Sequence, residues 1–217
     1  MVKLQLALDT LDAEDALRIA SLAGPFVDIL EAGTPLIKSV GINIVTRLKS
    51  AHPDKLVLAD LKSSDVGAYE AGMAFRAGAD IVTTQGITTL ATICEVQREA
   101  DQWGRRAEVD MTGVSDPVGR SAQVMASGVS LVLYHRSIDE ELTQGALWDA
   151  RAVDIVRSMC ALGLDVSIAG GVHQEILPLL KGVPIYGVVV GRGITAQADP
   201  AGAARQLALR LRETWPG

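Results

Sequence analysis

The 217-residue sequence has few cysteines and few aromatic side chains. Its two cysteines, Cys94 and Cys160, lie far apart in apolar helical patterns. There, free buried thiols are expected rather than a disulfide. Because disulfide frameworks mark oxidising compartments, their absence predicts a cytoplasmic protein.

Positive charge and long apolar runs are also scarce. Lys and Arg number 20 against 26 Asp and Glu, a formal net charge of −6, and no basic cluster occurs. The electrostatic footprint of a nucleic-acid binder is therefore missing. The longest apolar runs, such as 131–134 and 188–190, are too short to span a bilayer, and the N-terminus lacks the regions of a signal peptide. We expect no nucleic-acid partner and no membrane insertion.

Short β-branched or leucine-rich runs alternate with helical patterns along the chain. The runs predict eight strands, near 3–9, 27–33, 55–61, 80–85, 106–112, 130–135, 165–170 and 186–191. The segments between them predict eight helices, near 12–23, 36–51, 67–78, 88–103, 118–127, 149–162, 174–181 and 199–214. This alternation is typical of repeated βα units and a parallel sheet.

Eight βα units in 217 residues predict a compact (β/α)8 barrel, the TIM barrel, in one domain over 1–217. Glycines that follow helices, such as Gly78, Gly128 and Gly163, favour the short turns of that fold. A doubly wound open sheet is the alternative. The Gly-x-Gly-x-x-Gly turn of a dinucleotide site does not follow the first strand, so we favour the barrel.

Charged residues close most of the predicted strands, at the end where barrels carry their chemistry. They are Asp9, Glu31, Asp60, Lys62, Asp110, His135 and Arg136. Asp60 and Lys62 are two apart, so they share a strand face, and the acid would keep the lysine cationic. A simple ion pair that closes the strand is the alternative. Asp65 fits either the N-cap of the next helix or a catalytic role.

Two further patterns suggest ligands. Glu31 and Asp60 on adjacent strands would suit Mg²⁺, which takes one or two protein carboxylates, although one of them could simply pair with Lys62. Gly170-Gly171 and Gly191-Arg192 follow strands 7 and 8, where barrels bind phosphate. His135 suits proton transfer or a structural role. His52 and His173 are expected to lie outside the site.

The string 58–67, LADLKSSDVG, carries the Asp-x-Lys-x-x-Asp motif and resembles the orotidine-5′-phosphate decarboxylase suprafamily. Within it, the chain is similar to the branch of 3-keto-L-gulonate-6-phosphate decarboxylases and 3-hexulose-6-phosphate synthases. Supporting strings are Gln5-Leu6-Ala7-Leu8-Asp9, Glu31-Ala32-Gly33-Thr34-Pro35, His52-Pro53-Asp54-Lys55 and Tyr134-His135-Arg136-Ser137. The motif of orotidine monophosphate decarboxylase itself differs, because Leu58 stands where that branch has lysine.

The resemblance implies Mg²⁺-dependent chemistry on a phosphorylated sugar through a 1,2-enediolate. It gives the metal to Glu31 and Asp60, and catalysis to Lys62, Asp65, His135, Asp60 and Asp110. Substrate contacts fall to Asp9, Gly170, Gly171, Gly191, Arg192, Ala169 and Ile138. Asp65 would reach into a partner's active site, which implies a homodimer.

The two activities of this branch leave different signs in the sequence. The decarboxylase signs are His135-Arg136-Ser137, Gly145-Ala146-Leu147-Trp148, the stretch 177–185 and Arg192. Decarboxylases usually have Arg, Glu and Thr where this chain has Ile138, Asp110 and Ala169, and synthases resemble this chain at those three places. We favour the decarboxylase, with the synthase as the alternative. A non-catalytic phosphosugar-binding barrel is a third hypothesis.

Overall fold

The computed structural model describes residues 1–144 and 148–216, so Gly145, Ala146 and Leu147 of the decarboxylase-like string lie outside it. Eight parallel strands close a barrel in chain order, and the predicted TIM barrel is confirmed. The strands are β1 (Lys3–Leu8), β2 (Ile29–Ala32), β3 (Leu56–Ser63), β4 (Ile81–Gln85), β5 (Arg106–Asp110), β6 (Leu131–His135), β7 (Asp165–Ala169) and β8 (Gly187–Val190).

Helices follow the strands and cover the barrel. They are α1 (Ala13–Ala23), α2 (Thr34–Val40), α3 (Asn43–Ala51), α4 (Gly67–Arg76), α5 (Leu90–Trp103), α6 (Pro117–Ala126), α7 (Ile138–Gln144), α8 (Ala150–Ala161), α9 (Arg192–Thr195) and α10 (Pro200–Thr214). Several begin with a side-chain cap. Asp12, Thr89 and Asp149, for example, accept a backbone N–H from the first turn of α1, α5 and α8.

The helix predictions were wrong in four places. The single helix expected over 36–51 is two helices, because Gly41 takes a left-handed φ of 81° between them. The helix expected over 174–181 is only a 3-10 turn, Leu177–Leu180, which contains Pro178. The short helices α7 and α9 were not predicted.

The strand register stacks the inward side chains in layers of four, each layer drawn from alternate strands. From the amino to the carboxyl ends of the strands, the layers are Ile29, Ile81, Leu131 and Gly187; then Gln5, Leu58, Glu108 and Ser167; then Glu31, Thr83, Leu133 and Val189; then Ala7, Asp60, Asp110 and Ala169. The main apolar core lies outside the barrel, between strands and helices. The barrel interior therefore turns polar above its lowest layer.

The cysteines are free, as expected, but the prediction that both are buried was wrong. Cys94 is exposed, because α5 turns Ile93 and Val96 toward the barrel instead. Cys160 is half-buried, and this burial raises the pKa of its thiol to about 11. Among the described residues, no helix is both long and apolar enough to cross a membrane.

Candidate active site

A cavity of about 740 Å³ opens at the carboxyl ends of the strands. Most of the predicted site residues line it: Asp9, Glu31, Asp60, Lys62, His135, Ile138, Ala169, Gly170, Gly171, Gly191 and Arg192. Asp110 and Asp65 do not. Asp110 is buried directly behind Lys62, whereas Asp65 is exposed beyond the end of β3. The structure thus places all but one of the predicted residues in the cavity wall or directly behind it.

Lys62 reaches the cavity through an irregular strand end. Ala59 pairs with Val82 and Ser63 with Thr84, so β3 carries extra residues between these pairs. Lys62 has a left-handed φ of 48°, which is uncommon for a side chain other than glycine. Its amide donates to Thr83 Oγ1 at 2.9 Å, and that hydroxyl donates to Asp60 Oδ1 at 2.6 Å. Thr83 therefore connects the irregular end of β3, a β-bulge, to the Asp60 carboxylate.

The Lys62 ammonium lies between two carboxylates. Nζ is 3.3 Å from Asp60 Oδ2 and donates a hydrogen bond to Asp110 Oδ2. Burial alone would lower the pKa of Lys62, but the Asp60 and Asp110 charges outweigh it and raise that pKa above its usual value. The lysine is therefore a fixed cation at the cavity wall.

Asp110 also connects Lys62 to His135. His135 Nδ1 lies 3.0 Å from the Asp110 oxygen that Lys62 contacts, and Thr112 donates to the other oxygen from its amide and its hydroxyl. Burial acts to raise the pKa of Asp110, but His135 and Lys62 hold it well below its usual range. The three groups form one hydrogen-bonded unit with the His135 imidazole at its end.

Glu31 and Asp60 are both buried on neighbouring strands. Glu31 Oε2 accepts from Gln5 Nε2 at 2.6 Å, and Asp60 Oδ2 accepts from Thr34 Oγ1 at 2.7 Å. Burial, followed by the charges of Asp60 and Asp9, raises the pKa of Glu31 well above its usual value. Lys62 is already shared between Asp60 and Asp110, so the two buried carboxylates of Glu31 and Asp60 suit a hard divalent cation.

The donor set for such a cation is small. Across the described ranges, no group of three or more His, Cys, Asp or Glu side chains is arranged to hold a metal ion. Mg²⁺ commonly takes only one or two protein carboxylates and completes its shell with water and substrate oxygens. The oxygen donors of Glu31 and Asp60 therefore fit Mg²⁺.

Glycine loops line another part of the cavity. Gly170 and Gly171 have left-handed φ values of 86° and 62°, and a Cβ on Gly170 would lie 2.0 Å from the Arg136 carbonyl oxygen. Only glycine fits there. Trp148 Nε1 donates to the Gly170 carbonyl at 2.8 Å, which anchors this loop beneath α8. Gly191 and Arg192 line the cavity next to it.

Asp65 occupies a different environment. Its Oδ1 accepts only from the adjacent Val66 amide, at 2.8 Å, among the described contacts. Val66, with a left-handed φ of 48°, is the N-cap of α4 and gives it no side-chain cap, so the N-cap interpretation of Asp65 was wrong. The neighbouring Val66, Tyr69 and Met73 are exposed apolar residues on one face of α4.

Six polar residues that line the cavity were given no role from the sequence: Gln5, Thr34, Thr83, Glu108, His173 and Gln197. His173 was expected to lie outside the site and in fact lines the cavity. Gln5 and Glu108 are polar residues inside apolar strands, a signal that the sequence does contain. Burial raises the pKa of Glu108 to about 7.

Comparison with known proteins agrees with this geometry. Residues 2–207 match the family described as "Orotidine 5'-phosphate decarboxylase / HUMPS family". The chain is 38% identical over 210 residues to the 3-hexulose-6-phosphate synthase of Mycobacterium gastri, covering 95% of this chain and 98% of that protein. It is 34% identical over 212 residues to the 3-keto-L-gulonate-6-phosphate decarboxylase of Shigella dysenteriae, covering 98% and 97%.

A solved structure of a related enzyme also resembles this chain over its whole length. The crystal structure of 3-keto-L-gulonate-6-phosphate decarboxylase from Vibrio cholerae superposes with a TM-score of 0.89 at 32% identity over 99% of both chains. The named relatives are thus divided between decarboxylase and synthase at similar identity. The chain belongs to the orotidine 5′-phosphate decarboxylase / HUMPS family and is a lyase.

Proposed function

We propose that the chain is a Mg²⁺-dependent lyase that acts on a keto-sugar 6-phosphate through a 1,2-enediolate. The principal reaction would be decarboxylation of 3-keto-L-gulonate 6-phosphate to L-xylulose 5-phosphate and CO₂. The observation that carries this proposal is the unit of Lys62, Asp110 and His135, which joins a fixed cation to a proton carrier. The Gly170-Gly171 loop follows directly beside His135, because His135 pairs with Ala169, and Gly191 and Arg192 also line the cavity.

Glu31 and Asp60 would hold Mg²⁺, which when bound supplies positive charge to substrate oxygens. In the decarboxylation, the bond between the sugar chain and its carboxylate breaks and the electron pair stays on the sugar. Lys62 would stabilise the resulting enediolate, since its ammonium is already positioned and needs no reorganisation. Asp110 acts as a positioning residue, because it holds both Lys62 and His135.

The remaining residues would bind the substrate and protonate the enediolate. Gly170, Gly171, Gly191 and Arg192 would take the phosphate through backbone N–H groups and a guanidinium. Asp9 would contact substrate hydroxyls at the cavity mouth. Gly33 is needed beside it, since a Cβ there would lie 2.1 Å from Asp9 Oδ1. His135 would deliver, through water, the proton that takes the place of CO₂.

A second candidate is the synthase reaction, in which the enediolate of ribulose 5-phosphate adds to formaldehyde. One observation favours it: Ile138 and Ala169 line the cavity together with Leu133 and Val189. This wall presents no side-chain donor that could order a protonating water, and it leaves room for a small aldehyde. A purified enzyme with Mg²⁺ and either substrate in separate assays tests both reactions. Absence of both activities would refute the proposed function.

We also propose that the enzyme is a homodimer in which Asp65 completes the partner's site. The support is the position of Asp65 outside its own cavity, beside the exposed face of Val66, Tyr69 and Met73. Mixing inactive Asp65→Ala and Lys62→Ala subunits should then restore one good site in each mixed dimer, because a two-fold interface is reciprocal. If mixed dimers stay inactive, each site is built within one chain.

A further inference from the structure

The second interior layer of the barrel contains an acid to which none of the roles above applies. Glu108 is 1% exposed on β5, and neither of its carboxyl oxygens has a hydrogen-bond partner among the residues described. A buried carboxyl group without a partner is costly, and native proteins rarely keep one without a reason. The described residues around Glu108 therefore do not explain why an acid is buried at this position.

The layer around Glu108 is polar where barrels usually place bulky apolar residues. Gln5 and Ser167 share it, and Leu58 is its one apolar member. The Ser167 hydroxyl, also buried without a partner, lowers the pKa of Glu108, but the two groups do not meet in hydrogen-bonding geometry. Gln5 is occupied, because its amide donates to Glu31. Among the residues that the structure describes, Glu108 and Ser167 are thus the members of this layer whose side-chain oxygens have no hydrogen-bond partner.

The active-site cavity reaches this layer. Gln5, Leu58 and Glu108 all line it, two layers below the level of Asp60 and Asp110. The layer between these two levels, Glu31, Thr83, Leu133 and Val189, also lines the cavity, so the cavity extends down past it. A ligand in the cavity can therefore approach Glu108 from above.

We infer that Glu108 is a specificity-determining residue that binds a hydroxyl group of the sugar chain, at the end of the substrate away from the phosphate. A hydroxyl both donates and accepts, so it can satisfy a carboxyl oxygen and the Ser167 hydroxyl at once. A metal ion does not fit, because one carboxyl group and one hydroxyl give too few ligands. The inference rests on the proposed function for the identity of the phosphate end.

Glu108→Leu and Glu108→Gln test this role. Loss of a hydrogen bond to a substrate hydroxyl should lower kcat/KM of Glu108→Leu by about tenfold or more, whereas Glu108→Gln, which still donates and accepts, should stay within about threefold of wild type. Ser167→Ala should show a smaller loss. Ser121→Ala is the matched control, since Ser121 is also buried without a partner but lies on α6, away from the cavity.

Binding measurements separate this inference from the proposed function. Calorimetric titration with ribulose 5-phosphate and with inorganic phosphate should show weaker binding of the sugar phosphate to Glu108→Leu and unchanged binding of inorganic phosphate. This result would support the role of Glu108 even if the wild type turned over neither substrate. If Glu108→Leu kept both kcat/KM and sugar phosphate affinity within about twofold, the carboxyl would be holding only water, and the inference would be overturned.

Discussion

Asp80 and Asp60 are aspartates of equal burial, each 6% exposed, at opposite ends of the same barrel. At the amino end, Asp80 accepts from the Val57 amide and from two cations, Lys49 at 2.9 Å and Arg105. At the carboxyl end, Asp60 lies beside Lys62, a cation that it shares with Asp110.

The difference lies in how the charge is balanced. Two cations neutralise one acid at the amino end, which matches a stabilising role. At the carboxyl end, Lys62 is shared by Asp60 and Asp110, and the buried Glu31 lies on the neighbouring strand, so a ligand can supply further positive charge. The same residue type at the same burial is thus a structural group at one end and part of a binding site at the other.

The largest expected effect comes from removing the lysine at each end. Lys62→Met should lower kcat/KM by about 10³-fold, because the positioned charge for the enediolate is lost. Lys49→Met should leave kcat/KM within about threefold and lower the melting temperature instead, because the buried Asp80 loses one of its two cations. Steady-state kinetics and thermal melts on both variants test this. Equal losses of activity would break the distinction between the two ends.

Removal of the metal should have the next largest effect. EDTA should lower activity by roughly 10²-fold or more, and added Mg²⁺ should restore it, because the charge beside the carboxylates supports the developing anion. Asp60→Asn should lose Mg²⁺ binding in calorimetry, whereas Asp80→Asn should retain it. Full activity after exhaustive dialysis against EDTA would contradict the metal site at the carboxyl end.

A third, smaller effect concerns the apolar wall within the carboxyl end. The triple variant Ile138→Arg, Asp110→Glu, Ala169→Thr should shift the ratio of the two kcat/KM values toward decarboxylation by about tenfold, or about 1.4 kcal/mol between the transition states. Ile138→Arg alone should shift it less, because a guanidinium without its neighbours can turn away. An unchanged ratio would show that these positions do not control how the enediolate is trapped.

The smallest expected effect is on stability against pH. The pKa of Glu108 rises from an ordinary 4.5 to about 7 on folding, so its contribution to stability is complete below pH 4.5 and is lost as the pH rises through 7. In Mg²⁺-free buffer, the wild-type melting temperature should therefore fall by more between pH 5 and pH 8 than that of Glu108→Gln. Parallel curves would place Glu108 in a less buried environment than the structure shows.

The sequence predicted the barrel well because apolar runs repeat in every unit and a turn glycine precedes most of the strands. It predicted the motif residues Asp60 and Lys62 because they stand out at the end of an apolar strand. The helix break at Gly41 was missed, since the apolar pattern continues through both α2 and α3.

Gln5, Thr83 and Glu108 were missed for another reason. Their importance depends on which face of a strand is inward and on which layer it joins, and both depend on register between distant strands. Two polar residues inside apolar strands are visible in the sequence, but their convergence on one cavity is not. The pairing of strands that are distant in the sequence, rather than the local pattern, decides which polar residues reach the cavity.

The bulge in β3 has a consequence for protein design. If the Asp-x-Lys-x-x-Asp sequence were transferred onto an idealised barrel strand, its side chains would alternate regularly between the two faces. The graft would lack the left-handed backbone of Lys62 and the Thr83 hydroxyl that accepts the Lys62 N–H. The transferable unit is therefore a piece of backbone with its neighbouring strand, and grafts should include the irregular end of β3 together with β4.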